Sequence, residues 1–135
     1  MRRRTIALIA GGVLLLVATP LIARAVQTGR LTIAGELFAA ADVLDARAMP
    51  DVSGTSGIML TLTPRAAQRL AALTAGLAGK PMVVALDGKP ILREMIRAPI
   101  RDGVIDIPGA YKLPEAEALA KRISGKPPLP EDLAE

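Results

Sequence analysis

The chain has 135 residues, with 17 basic and 13 acidic side chains, a formal charge of +4 and a pI of about 10.0. That length holds one modest domain, and a composition that is 51% hydrophobic with one Phe and one Tyr makes any core aliphatic. With no cysteine there is no disulfide or thiolate metal site, and with no histidine the commonest general base and metal ligand is missing.

The basic excess lies at the start. Arg2, Arg3, Arg4 and Arg24 fall in the first 25 positions, which contain no acid, so residues 26–135 carry 13 basic and 13 acidic side chains and are formally neutral. Recognition of nucleic acid needs cations gathered on one surface. No run in the body supplies them, and no nucleic-acid partner is expected.

Residues 1–4 form a cationic cap and residues 5–23 are almost wholly apolar, which predicts a leader helix. Two readings of residues 1–25 stand side by side. Ala23-Arg24-Ala25, with Pro20 upstream, fits the cleavage region of a signal peptide. The apolar run also approaches the roughly 20 residues that cross a bilayer, so an uncleaved membrane anchor is the alternative. Either way the arginines stay inside and the body lies on the periplasmic, extracytoplasmic side of the inner membrane.

After a linker at residues 26–30, residues 31–38 alternate loosely and predict a first strand. Residues 39–42 suggest a turn or short helix, and V-L-D-A-R-A-M at residues 43–49 suggests another strand. Pro, Gly and Ser make residues 50–57 a loop. Strand-like I-M-L-T-L follows, and Thr63-Pro64 then opens a helix with Thr as N-cap and Pro at its first position. Ala66, Leu70, Leu73 and Leu77 share its inner face, and Gly79 is the expected stop. A continuous apolar strand at residues 82–86 meets Asp87-Gly88, a dipeptide suited to a type I′ hairpin because both central residues need positive φ. A second strand follows, then a Pro-bounded extended segment at residues 96–100. An Asp102-Gly103 turn leads into a strand at residues 104–107, closed by Pro108-Gly109. The last helix starts near Pro114, turns Ala116, Leu119, Ala120 and Ile123 inward, and ends at Gly125. Residues 126–135 are a Pro-rich acidic tail. The order β-α-β-β-β-α predicts an α+β fold: a small antiparallel or mixed sheet with two helices packed on one face.

Catalytic constellations are sparse. Without His or Cys the usual triads are excluded. Ser53, Ser56 and Ser124 leave a Ser-Lys pair as a formal possibility, and Asp102 with Asp106 as a formal carboxylate pair, although acids in and after a turn are ordinarily solvated. No phosphate loop or EF-hand spacing occurs, and neither metal nor cofactor is expected. A non-enzyme is predicted. The segment over residues 93–101 interleaves Arg93, Arg97 and Arg101 with Met95, Ile96 and Ile100. It reads either as an ordinary amphipathic strand with solvated arginines or as a contact surface for a polypeptide or protein partner, since exposed edges accept extended chains.

The body resembles the head subdomain of the large periplasmic domain in SecD and fused SecDF protein-export subunits. The likeness is carried by Asp45-Ala46-Arg47, I-M-L-T-L-T-P-R-A-A-Q-R-L-A-A-L-T from Ile58, Gly79-Lys80 and V-V-A-L-D-G-K from Val83. Ala98-Pro99-Ile100, Gly103, Ile107-Pro108-Gly109 and the Glu115-Ala116, Leu119-Ala120 helix through Gly125 to Leu129-Pro130 complete it. The resemblance covers residues 31–130. It implies a domain that contacts translocating, unfolded polypeptide outside the membrane, with no catalytic residues to carry over. Arg93-Glu94 and Asp102 stand where the family has smaller or neutral residues. Two functions follow as expectations: an exported SecD-head-like module that binds polypeptide or a membrane-protein partner as an accessory to export, or an envelope scaffold that reuses the fold.

Overall fold

The computed structural model describes residues 29–131; the leader, most of the linker and the last four residues of the tail lie outside the described residues. The described elements are β1 (Leu31–Ile33), β2 (Glu36–Phe38), β3 (Val43–Pro50), β4 (Ser56–Leu62), α1 (Pro64–Ala75), β5 (Pro81–Leu86), β6 (Lys89–Met95), β7 (Val104–Tyr111) and α2 (Leu113–Ser124). A 3-10 turn at Ala40–Asp42 joins β2 to β3.

The fold is α+β, and its architecture corrects the expectation of one sheet. There are two, ordered β2-β1-β5-β6 and β3-β4-β7, with every described pairing antiparallel. The difference begins at residues 31–38, which do not form one strand. The chain reverses at Ala34 and Gly35, with φ of 52° and 81°, and pairs Leu31 with Phe38 and Ile33 with Glu36. Alanine in the left-handed region costs about 1–2 kcal/mol, so Ala-Gly carries no turn signal of the strength of Asp-Gly. The resulting β1 pairs with β5 and draws the next hairpin into a sheet separate from β4. That hairpin has the predicted geometry, with φ of 52° at Asp87 and 79° at Gly88.

One core serves both sheets. Ile58, Leu60 and Leu62 of β4 alternate into it, as do Met82, Val84 and Leu86 of β5 and Ile105 and Ile107 of β7, with Phe38 among them. Both helices bury their apolar stripes in this shared core. On α1, Thr63 Oγ1 accepts from the Ala66 N–H at 3.3 Å with Pro64 at the first position, as its sequence requires. Ala66 and Leu70 are buried there, while Leu73 and Leu77 are partly buried. The helix stops at Ala75, ahead of Gly79, because the chain tightens: the Leu77 N–H bonds to Thr74 O and the Lys80 N–H to Leu77 O. Gly79, at φ 75°, closes the turn that follows. On α2, Ala116, Ala120 and Ile123 pack chiefly against β3, and Gly125 ends the helix in the left-handed region at φ 72°.

Both ends of the described chain are pinned. The Gly29 N–H donates to Arg122 O at 2.8 Å, and Arg30 and Asp87 exchange two hydrogen bonds, Arg30 N–H to Asp87 Oδ1 at 2.8 Å and Asp87 N–H to Arg30 O at 2.9 Å. Arg122 pairs with the same carboxylate. At the other end Leu129 is clasped by side chains of β3. Its N–H donates to Asp45 Oδ1 at 2.9 Å, its carbonyl accepts from Arg47 Nη2 at 2.9 Å, and Arg47 Nε bonds Asp45 Oδ2 at 2.6 Å.

Candidate functional site

The segment over residues 93–101 begins as the end of β6 and leaves the sheet. Ile96 is 3% exposed and belongs to the core. Its N–H donates to Lys80 O at 3.0 Å and its carbonyl accepts from the Gly79 N–H at 2.8 Å. The expected extended strand over residues 96–100 is instead a bend at Arg97 and Ala98 followed by irregular chain. Its far side is fixed from below: the Thr74 hydroxyl donates to Leu70 O at 2.8 Å and accepts from the Ile100 N–H at 2.9 Å. Of the six residues singled out by sequence, Arg93, Met95, Arg97 and Arg101 are exposed, Met95 at 55%, while Ile100 is half-buried and Ile96 buried. The structure therefore brings four of them to the surface and uses two as anchors.

Backbone groups define the site more sharply than side chains. Antiparallel partners alternate between residues that bond across the ladder and residues that point their N–H and C=O away. Ile96 bonds across to Lys80, and the register pairs Glu94 with Met82 and Leu92 with Val84. Arg93 and Met95 therefore direct their backbone groups outward, along the free edge of β6. Next to this edge lies an open groove of about 440 Å³ walled by Glu94, Pro99, Ile100, Arg101, Val104 and Asp106.

Two of the other edges are guarded. On β7, Leu62 N–H bonds to Gly103 O, so the same alternation turns Val104 and Asp106 outward. The Val104 N–H is already held by Asp102 Oδ1 at 3.0 Å, and Pro108 has no N–H to offer. On β2, three residues long, Leu37 O accepts from Arg69 Nη2 at 3.0 Å. Arg69 also stacks over Phe38 with its guanidinium carbon 4.2 Å from the ring centroid. Asp102 is thus a turn and edge cap. Neither the sequence pattern nor its placement with Asp106 on exposed chain makes the pair a buried acid-base couple. Ser124 donates to Lys126 O at 2.7 Å, Ser53 pairs with the Thr55 hydroxyl at 3.0 Å and Ser56 is buried, so each serine has a local structural setting. Among the described residues no three acids gather to hold a metal ion, and no helix is long and apolar enough to cross a membrane.

Fold and surface define the class as a small α+β module of two antiparallel sheets in which the edge of β6 is open. The family model described as SecDF, P1 head subdomain matches residues 24–126, and the chain belongs to that family. It is 35% identical over 100 residues to the protein translocase subunit SecDF of Thermus thermophilus, spanning 73% of this chain and 14% of the relative. To the protein translocase subunit SecD of Acidaminococcus fermentans it is 34% identical over 79 residues, 58% of this chain and 19% of that one. The chain thus spans less than a fifth of either relative's length. A solved structure of a membrane component SecDF that enhances protein export superposes with a TM-score of 0.59 at 32% identity, covering 70% of this chain and 44% of that one. The super-membrane-facing form of SecDF gives 0.58 at 33% identity, covering 67% and 12%. The chain is a SecDF head-like module related to protein export.

Proposed function

We propose that the chain is an exported, non-catalytic module that grips extended polypeptide at the open edge of β6, as an accessory to protein export, with residues 1–25 holding it at the periplasmic face of the inner membrane. The observation that carries this reading is the pair of outward-turned backbone positions, Arg93 and Met95, beside the groove at Pro99–Ile100. An unfolded chain offers what such an edge lacks, a run of free N–H and C=O groups, and backbone pairing needs no particular sequence. Exposed Met95 supplies an adaptable apolar contact. Arg93, Arg97 and Arg101 are exposed around it and favour acidic stretches and fast encounter. Ile96 and Ile100 hold the segment in place from beneath.

The test is titration of the full chain with an unfolded presecretory polypeptide, followed by amide exchange. Saturable binding with slowed exchange at Arg93 and Met95 is expected, and Met95→Pro, which removes one outward N–H, should weaken it. A silent titration, together with a stable envelope protein recovered on the purified chain, would overturn this function in favour of the scaffold reading.

A further inference from the structure

We propose a second surface: the end of the domain where the described chain begins binds the anionic headgroups of a lipid bilayer. Although residues 26–135 are formally neutral, folding sorts their charges. Arg30 and Lys89 are far in sequence from Lys121, Arg122 and Lys126, and the five gather around the Asp87-Gly88 turn and the last turn of α2. Lys89 and Arg122 wall one groove of about 140 Å³ with Leu86, Ile91 and Leu119. The Arg30 backbone N–H and the Arg122 guanidinium both bond the Asp87 carboxylate. Lys126 follows Gly125, whose N–H bonds back to Lys121 O at 2.7 Å. Asp87 is paired with Arg122, while Lys89, Lys121 and Lys126 are exposed without an ion pair among the described residues. Helix termini alone do not account for the cluster: Lys121 and Arg122 complement the C-terminal end of α2, but Lys89 sits on a strand and Arg30 and Lys126 on connecting chain.

The position of Gly29 decides which partner fits. Three hydrogen bonds, two between backbones and one to the Asp87 carboxylate, fix residues 29 and 30 to this end of the domain. Residues 24–28 span at most about 18 Å when extended, so an anchored leader presents this end to the bilayer. That tether lets the cations reach anionic lipid, where each contributes about five-fold in binding within a Debye length of about 8 Å at physiological salt. This inference rests on the reading that residues 1–25 stay in the membrane.

The experiment uses the full chain in vesicles of phosphatidylcholine alone or mixed with phosphatidylglycerol. The chain has no cysteine, so Pro127→Cys at the basic end and Val52→Cys at the far hairpin give single labelling sites. A fluorophore at 127 should be quenched by nitroxide headgroups in the anionic vesicles, less so in high salt, and a fluorophore at 52 should not. Lys89→Gln with Lys121→Gln and Lys126→Gln should shift the docking equilibrium about a hundred-fold, from five-fold per cation. Equal quenching in both lipids, or no effect of the triple substitution on a chain that floats with the vesicles, overturns the surface and leaves the anchor intact. Quenching relieved by inorganic phosphate at constant ionic strength would assign the cluster to free phosphate and overturn the lipid reading. A chain that fails to float with either vesicle overturns anchor and surface together.

Discussion

Replacing Asp45 by alanine tests how the C-terminal segment is held. Asp45 is 5% exposed, and its carboxylate accepts from Arg47 Nε at 2.6 Å and from the Leu129 N–H at 2.9 Å. Its removal strands a guanidinium whose side chain is 16% exposed. Hydrogen bonds to charged groups contribute about 1.5–3 kcal/mol each, and breaking a buried pair by deleting one partner costs about 3–5 kcal/mol. Arg47 keeps its bond to Leu129 O, which places the expected loss near the lower end, about 3 kcal/mol. With a urea m-value of about 1–3 kcal/mol/M, the midpoint should fall by about 1–3 M at unchanged slope. The double variant Asp45→Leu with Arg47→Met removes both charges and should recover most of that loss, because no unpaired ion is left behind. A single variant within about 0.5 kcal/mol of the parent, the range of an ordinary surface substitution, would show that the clasp is not coupled to folding. A double variant no better than the single one would show that loss of the Leu129 contact, not the orphaned arginine, sets the cost.

Two further substitutions probe the scaffold around the open edge. Gly103→Ala puts a residue at φ 70° and its Cβ 2.7 Å from Ala67 Cβ; strain of about 1–3 kcal/mol is expected, read as a Tm lowered by about 4–8 °C per kcal/mol, and an unchanged Tm would refute it. Thr74→Val leaves the Ile100 N–H without its partner at a cost of about 1–3 kcal/mol. Amide exchange at Ile100 should accelerate while that at Leu60 lags behind, and uniform acceleration would mean that the hydroxyl supports the whole fold and not this loop.

The parts of the fold legible in sequence are those with a one-residue chemical cause. Thr63-Pro64, Asp87-Gly88 and Gly125 each demand a particular backbone, and each adopts it. The inner faces of both helices follow from spacing. What the sequence withheld is partnership. Strand β1 joins β5 and not β4 because an alanine takes a left-handed turn at position 34, held by Ala34 N–H to Val83 O at 2.9 Å. No periodicity encodes that bond. Ile96 and Arg97 look alike as members of an alternating run, yet one is core and the other solvent, because the ladder ends between them. Asp102 is legible as the start of a turn into a strand; that its carboxylate holds the Val104 N–H and protects an edge is not, since edges exist only once strands have neighbours.

Edge protection also sets how tightly the site can hold. Position 91 is the extra residue of a bulge between the Leu92 and Pro90 pairings, and Ile96 is already bonded to Lys80, so the open stretch of β6 offers the N–H and C=O of Arg93 and Met95 and little more. Up to four backbone hydrogen bonds at about 0.5–1.5 kcal/mol each amount to about 2–6 kcal/mol. Burial of Met95 adds about 1.5–3 kcal/mol at most, against a cost of association of several kcal/mol. With that cost at about 4 kcal/mol or more, the surplus is at most about 5 kcal/mol, a dissociation constant of about 0.2 mM or weaker, with little dependence on sequence beyond its charge. Isothermal titration with unrelated unfolded segments of equal net charge should therefore give similar weak constants. A nanomolar complex mapped to Arg93 and Met95 would refute the edge-pairing account, because backbone bonds of that number cannot supply the roughly 12 kcal/mol such a complex requires.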